Sequence, residues 1–282
     1  MYNPDSKPVM LVKHCHQIPP KKRVFPAMAS EKFDGVFAFV LPDGRVFSRT
    51  GKECFSLARI GADVKAANDS AQVAGLNTHV LIGEVYTPGW PVEDISGSFR
   101  RKSKQYTEAE FIIHDAIQYT SFQIGYSKVP YVHRWKIAQW FAQNLGYRVI
   151  EQTVVDSEQD AVGMASDIID RGGEGVVLRN PDGEWWAGKR NADLTKIKQE
   201  ETVDLRVVGI ETGKGKYSHT VGTLLVEFNG GVQRISGMTD EQRNDWYVHE
   251  YKIVGKIVEV QYMCLTTDGW MREPRFKRIR YD

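Results

Sequence analysis

Beyond Lys198 the chain stops reading as a mixture of helices and strands and becomes a series of short alternating runs. VDLRVVGIETG, GTLLVEFNGGVQRISG and KIVGKIVEVQYMCLT alternate apolar and polar residues and are separated by glycine-rich turns. Alternation of this kind buries one face of a strand and leaves the other wet. With one short helical stretch near Thr239 to Tyr247, residues 203–282 predict a small β-barrel such as an OB-fold. The boundary falls near Glu200 to Asp204, dividing the chain into 1–202 and 203–282.

The first part is of a different kind. From Glu31 to Arg49 two β-rich runs flank Pro42-Asp43-Gly44, a turn signal, so the segment predicts a hairpin. Further apolar runs at His79 to Tyr86, Phe111 to Ile117, Tyr147 to Gln152 and Gly175 to Arg179 alternate with helical stretches at His133 to Leu145 and Glu158 to Arg171. The fold class expected is α+β, with substantial antiparallel sheet in 1–202 and a β-barrel after it.

Composition narrows the function classes. A chain of 282 residues that is 41% hydrophobic has room for a real core without metals or disulfides. Cys15, Cys54 and Cys264 are scattered and odd in number, with no zinc or redox spacing, which points to a reducing, cytoplasmic compartment. Met1 to Pro20 mixes Asp5, Lys7, Lys13, His14 and His16 with prolines, so it predicts no signal peptide, and nothing resembles a membrane span. A net charge of +1 excludes a uniformly basic coat. Local patches at Lys21-Lys22-Arg23, Arg100-Arg101-Lys102-Lys104 and Arg272 to Arg280 still suit phosphate backbones as well as they suit a solvated surface.

Lys32 precedes Phe33-Asp34-Gly35 within a strand-turn segment. A lysine amine is a poor nucleophile at neutral pH unless burial or neighbouring cations favour its neutral form, and Lys196 and Lys198 are candidate cations. Lys-x-Asp-Gly alone says little. The order of the motifs downstream of it says more: Ser48-Arg49-Thr50-Gly51, Gly83-Glu84, Phe111 to Asp115, Glu174 to Arg179, and Lys196-Ile197-Lys198. In this order the chain strongly resembles the covalent nucleotidyltransferase superfamily and, within it, the ATP-dependent DNA ligases. It looks most similar to the minimal two-domain ligases of phages and bacteria, since Gly213 to Tyr217 and the ending Glu273 to Arg280 also fit that group.

The resemblance implies an adenylation domain followed by an OB-fold, ATP and Mg²⁺ (with Mn²⁺ as a substitute) as cofactors, and nicked double-stranded DNA as partner for a monomer with no membrane role. It further implies tasks in DNA repair, replication and recombination. Lys32 is then the nucleophile that takes AMP, with Lys196, Lys198 and Arg280 as catalytic cations; Lys277 or Arg278 is an alternative to Arg280. Glu31, Asp34, Gly35, Glu84 and His114 join Lys32, Glu174 and the two strand lysines in binding the nucleotide. Glu84 suits ribose hydroxyls; Glu174 and Glu84 are the carboxylates for Mg²⁺, which favours one or two carboxylates plus phosphate oxygens. Arg49 would grip the 5′-phosphate at the nick through a bidentate guanidinium.

Three positions depart from the family pattern. Phe37 stands where many relatives have Arg, His114 stands where an aromatic ring stacks on adenine, and the ending Tyr281-Asp282 lacks a terminal Lys. An RNA ligase or an mRNA-capping guanylyltransferase shares the nucleophile motif, and a catalytically silent nucleic-acid-binding module is the non-enzymatic alternative. The intact set of Lys32, Glu84, Glu174, Lys196 and Lys198 argues against the last. His14-Cys15-His16 reads as a bland extended segment whose neighbours point to opposite faces, Gly213 to Lys216 as a mobile loop rather than a P-loop, and Trp185-Trp186 as core packing.

Overall fold

The computed structural model describes residues 8–198, 201–262, 265–266 and 268–280. Asp5, Lys7, Cys264, Tyr281 and Asp282 lie outside these. The chain divides into two compact units, Met1–Ile197 and Lys198–Asp282.

Strands β1 (Lys13–His14), β2 (Ala27–Glu31), β3 (Val36–Val40) and β4 (Val46–Ser48) open the first unit, followed by helix α1 (Ala58–Val73), β5 (His79–Tyr86) and α2 (Val92–Phe99). Next come β6 (Glu110–Gln118), α3 (Tyr119–Ile124), β7 (Tyr126–Ser127), α4 (Tyr131–Leu145) and β8 (Thr153–Val155). Last come α5 (Glu158–Asp170), β9 (Gly175–Arg179), β10 (Trp185–Trp186) and β11 (Leu194–Lys198), whose final residue is the first of the second unit. They form two sheets, ordered β4-β3-β5-β6 and β1-β11-β9-β2-β8, and a small β7-β10 pair. The first sheet is antiparallel throughout, whereas in the second β1 runs parallel to β11.

The expected hairpin is β3 and β4, closed by the Gly44 amide on the Leu41 carbonyl, with Gly44 at φ +88° where a side chain would strain the turn. Helix α5 starts where the Ser157 side chain accepts from the Asp160 amide, and it buries Ala161, Ala165 and Ile168 against the β2/β9 sheet. Helices α1 and α4 pack Ile60, Val64, Ala138 and Phe141 on the other sheet. The Tyr147 to Gln152 run does not form a strand of its own; it follows the left-handed Gly146 that ends α4 and pairs with β6 through one isolated bridge, between Val149 and Ile113. Trp185 is buried against Phe122, as a core residue should be. Cys15 to Gln17 is a 3-10 turn, not extended chain, so the rings of His14 and His16 approach to 5.2 Å instead of opposing one another.

The second unit comprises β12 (Glu201–Thr212), β13 (Val221–Phe228), β14 (Gly231–Ile235), α6 (Asp240–Val248), β15 (Ile257–Tyr262) and β16 (Arg275–Ile279). Its antiparallel order is β14-β13-β12-β15-β16. The two edges meet at one isolated bridge, Ser236 to Arg275, so among the described residues the sheet curls towards a barrel without a closing ladder. Val207, Leu224, Val226, Trp246, Val258 and Phe276 fill its interior. Thr239 and Gln242 form a capping box that starts α6 within the span read as helical from sequence. Among the described residues no helix is long and apolar enough to cross a membrane.

Candidate active site

Strand β2 is buried along Ala27 to Ser30 and delivers Lys32 just past its end. The Lys32 amide donates to the Gly175 carbonyl at 2.8 Å, extending the β2/β9 pairing by one step and fixing where the side chain emerges. Its amine is ion-paired with the Glu174 carboxylate, which is 6% exposed. Gly35 is required by close packing: a Cβ there would lie 2.5 Å from the Val85 carbonyl oxygen and 2.8 Å from Glu84 Cγ. Phe33 meets Tyr86 edge-on at 5.3 Å, so the Lys32-to-Gly35 loop is clamped onto β5.

Glu84 is on β5, opposite Phe37 of β3 and Ile112 of β6, and is 9% exposed. Burial pushes its carboxyl up to about 7, against the pull of Lys32 and then Arg49, with Glu174 and Asp34 adding repulsion. Two carboxylates, Glu84 and Glu174, therefore face one amine and one guanidinium. Hard oxygen donors in this arrangement, completed by phosphate oxygens and water, fit Mg²⁺. Among the described residues no group of three or more His, Cys, Asp and Glu is placed to hold a metal by protein ligands alone.

His114 occupies an irregularity of the β5/β6 ladder: Gly83 pairs with Ile113 and Ile82 with Asp115, which leaves His114 as the extra residue. The bulge places a polar ring between the apolar run Phe111 to Ile113 and Asp115. Desolvation, then the positive charges of Arg179, Lys32 and Arg49, hold the imidazole well below its ordinary titration range, so it is neutral at pH 7. With Phe37, Ile82, Arg179, Leu194 and Val9 it lines one cavity.

Arg49 lies with its guanidinium 5.1 Å from the centre of the Phe37 ring. Lys196 stands on β11 in register with His14 of β1. Lys198, two residues on, has its amine on Glu273 at 3.0 Å and is 6% exposed. Glu31 pairs with Arg171 at 3.3 Å. Arg280, in the second unit, donates to Asp204 at 2.9 Å and lies 3.5 Å from Glu259; Arg278 also holds Glu259. The structure thus assembles Lys32, Asp34, Glu84, Glu174, Arg49 and His114 around one site, and fixes Lys198 and Arg280 on carboxylates of the second unit.

Three further residues, to which the sequence motifs assign no role, support the site. Arg179 is buried, donates to the Ser30 hydroxyl at 3.2 Å and lies over the Tyr131 ring. Its signal was an arginine closing the apolar run Gly-Val-Val-Leu-Arg. Asp115 and Arg134 form a buried two-point ion pair at 2.9 and 3.1 Å directly behind His114. Its signal, an acid in the middle of an apolar strand, was visible, but its partner was not.

The family described as "ATP dependent DNA ligase domain" matches residues 9–198, two-thirds of the chain, and "DNA ligase OB-like domain" matches 212–280. The chain belongs to the ATP-dependent DNA ligase family. The DNA ligase of Archaeoglobus fulgidus is 40% identical over 162 residues, covering 48% of this chain and 29% of that protein. That of Natronomonas pharaonis is 26% identical over 232 residues, covering 77% and 41%. The chain spans less than half the length of the curated relatives it matches. Among solved structures, Pmar-Lig_PreS3 has a TM-score of 0.78 at 26% identity, covering 98% of this chain and 68% of that one. A Lig E DNA ligase, described as binding DNA with a minimal scaffold, has a TM-score of 0.74 at 22% identity, covering 96% and 98%, and shares the fold.

Proposed function

We propose that this chain is an ATP-dependent DNA ligase that seals nicks between a 5′-phosphate and a 3′-hydroxyl. The supporting observation is the convergence of Lys32, Glu174, Glu84, Arg49 and His114 on one site of a chain belonging to this family. In the first step the Lys32 amine, having lost a proton, attacks the α-phosphorus of ATP; a P–N bond forms and the bond to pyrophosphate breaks. An oxygen of the DNA 5′-phosphate then attacks that phosphorus, the P–N bond breaks and Lys32 regains its proton. Finally the 3′-hydroxyl oxygen attacks the 5′-phosphorus and AMP leaves.

Neutral His114 stacks on adenine, with Glu31, Asp34 and Gly35 shaping the nucleotide site. Glu84 accepts from the ribose; Glu84 and Glu174 would hold Mg²⁺, which would supply charge neutralisation at the phosphates. Glu174 is the partner of the Lys32 ammonium and holds it at the mouth of the nucleotide site. Arg49 holds the 5′-phosphate, and Lys196, Lys198 and Arg280 neutralise charge on the phosphates in transit. The protein acts as a cytoplasmic monomer on nicked duplex DNA.

The test is incubation with labelled ATP, GTP or NAD followed by denaturing electrophoresis. Covalent label from ATP alone, lost in Lys32→Ala with DNA binding retained, is expected. Label from GTP would move the assignment to capping chemistry, and label surviving in Lys32→Ala would refute it.

A further inference from the structure

Strand β5, which carries Glu84, ends at Tyr86 and runs directly into Thr87-Pro88-Gly89-Trp90. The Trp90 amide donates to the Thr87 carbonyl at 3.1 Å and Gly89 sits at φ +77°, the hydrogen bond and glycine position of a type II turn with Pro88 first. This turn holds Trp90 at 39% exposure. The ring is not loose. It stacks at 5.8 Å and 24° on Tyr106, which is buried, hydrogen-bonded through its hydroxyl to Thr87 at 2.5 Å and tied by its amide to Ser56 at 2.8 Å. One face of Trp90 is thus backed by a fixed ring.

Beside Tyr106 in the chain is a run of cations, Arg100, Arg101, Lys102 and Lys104, all exposed. Its ends are pinned: Ser56 donates to the Phe99 carbonyl at 2.8 Å, and Gln105 donates to the Phe55 carbonyl at 3.0 Å while accepting from the Ala58 amide. Cations at the end of α2 complement its dipole, which accounts for Arg100 and Arg101 at most. Among the described residues none of the four side chains is ion-paired, unlike those of Arg278, Arg280, Arg234 and Lys252. Four exposed cations, of which Lys104 also attracts Glu108, in the segment that leads into the residue backing Trp90 match the chemistry of a nucleic-acid strand, whose phosphates bind the charges while a base stacks on the ring. An acidic protein segment would use the charges and leave the ring without a role.

We infer that Trp90 and the Arg100–Lys104 run form a second contact with the DNA substrate, in which the cations hold backbone phosphates and Trp90 stacks on an unpaired base close to the nick. A base within a duplex is stacked on its neighbours, so an exposed platform discriminates in favour of nicks flanked by an unpaired nucleotide, such as a gap or a flap. This inference rests on the proposed ligase activity.

The experiment uses full-length protein and nicked duplexes with or without one unpaired 2-aminopurine nucleotide beside the nick, in EDTA. Wild type is expected to bind the 2-aminopurine substrate more tightly than the plain nick and to change its fluorescence. Trp90→Ala should lose the fluorescence change and about tenfold in affinity for that substrate, with Trp90→Phe intermediate, while the plain nick is bound as before. Replacing the four cations by Ala should lower the slope of log Kd against log salt by about 2 to 4. Lys32 adenylation by ATP, measured in the same preparations, should be unchanged, which certifies the fold. An unaltered fluorescence change in Trp90→Ala, or an unaltered salt slope in the cation variant, overturns the inference and leaves the ligase reading intact. Failure of wild type to bind any of the DNAs, with adenylation retained, overturns both.

Discussion

The guanidinium of Arg49 rests on the ring of Phe37, 5.1 Å from its centre. The ring orients that cation, and a cation over a ring contributes roughly 0.5–1 kcal/mol at such sites. Arg49→Ala should leave Lys32 adenylation by ATP nearly intact and slow AMP transfer to the nick by about 10- to 100-fold, the value of a charged hydrogen-bonded contact. Phe37→Ala should show the same selective defect at a few-fold. Single-turnover measurement of the two steps decides this; equal loss in adenylation would place Arg49 on the nucleotide instead.

Glu84 makes stability depend on pH. Its carboxyl titrates at about 7 in the folded chain against 4.5 unperturbed, because burial outweighs the pull of Lys32 and Arg49. Between those values the folded state holds the extra proton, so stability is full below the lower one and falls as pH rises until about 7 is passed. Glu84→Gln removes this titration and should flatten the difference between pH 5 and 8 by about 1–3 kcal/mol. Urea unfolding of both proteins at the two pH values checks it, and identical pH profiles would show that Glu84 is ionised throughout.

The sequence was legible where a residue's role is local. The runs His79 to Tyr86 and Gly175 to Arg179 are β5 and β9, because apolar runs with turn signals need only their own pattern to be read as strands. Helix α1 was not read, because its buried Ile60, Val64, Asn68 and Ala71 lie among alanines and polar residues with little amphipathic contrast. At the site, Lys32 and Glu174 are 142 positions apart, and the motif order joined them. Order alone could not show that the bulge at His114 aims the ring, that Asp204 and Glu259 occupy Arg280, or that Arg134 meets Asp115, since these depend on register and on pairing between distant segments.

That last pair carries its own prediction. Asp115 and Arg134 are both buried, and Arg134 also donates to the Gly183 carbonyl at 2.9 Å. Removing one partner strands the other charge in the core, at about 3–5 kcal/mol. Asp115→Ala should lower the urea midpoint by an amount of that order and weaken ATP binding through the displaced bulge. A loss under about 1 kcal/mol would mean that water reaches Arg134.

Arg280 has two possible duties, and the register of its sheet tells how to separate them. Asp204 of β12 and Glu259 of β15 are directly opposite in the antiparallel ladder, a like-charge pair that by itself disfavours pairing. Arg280 reaches both, at 2.9 and 3.5 Å, so it neutralises that repulsion whatever else it does. By resemblance it also serves the first chemical step, where departing pyrophosphate carries several negative charges that a cation can orient and stabilise. Sealing of a pre-adenylated nick has no pyrophosphate and no such need. Arg280→Ala should therefore cut adenylation of Lys32 more than tenfold, an expected loss of about 1.4 kcal/mol or more of transition-state stabilisation, and largely spare sealing of pre-adenylated DNA. Adding Asp204→Asn relieves the carboxylate repulsion without restoring a cation. If Arg280 serves the chemistry, the double variant regains unfolding stability but not adenylation; if its duty is to hold the sheet together, both assays fall together in the single variant and both recover in the double.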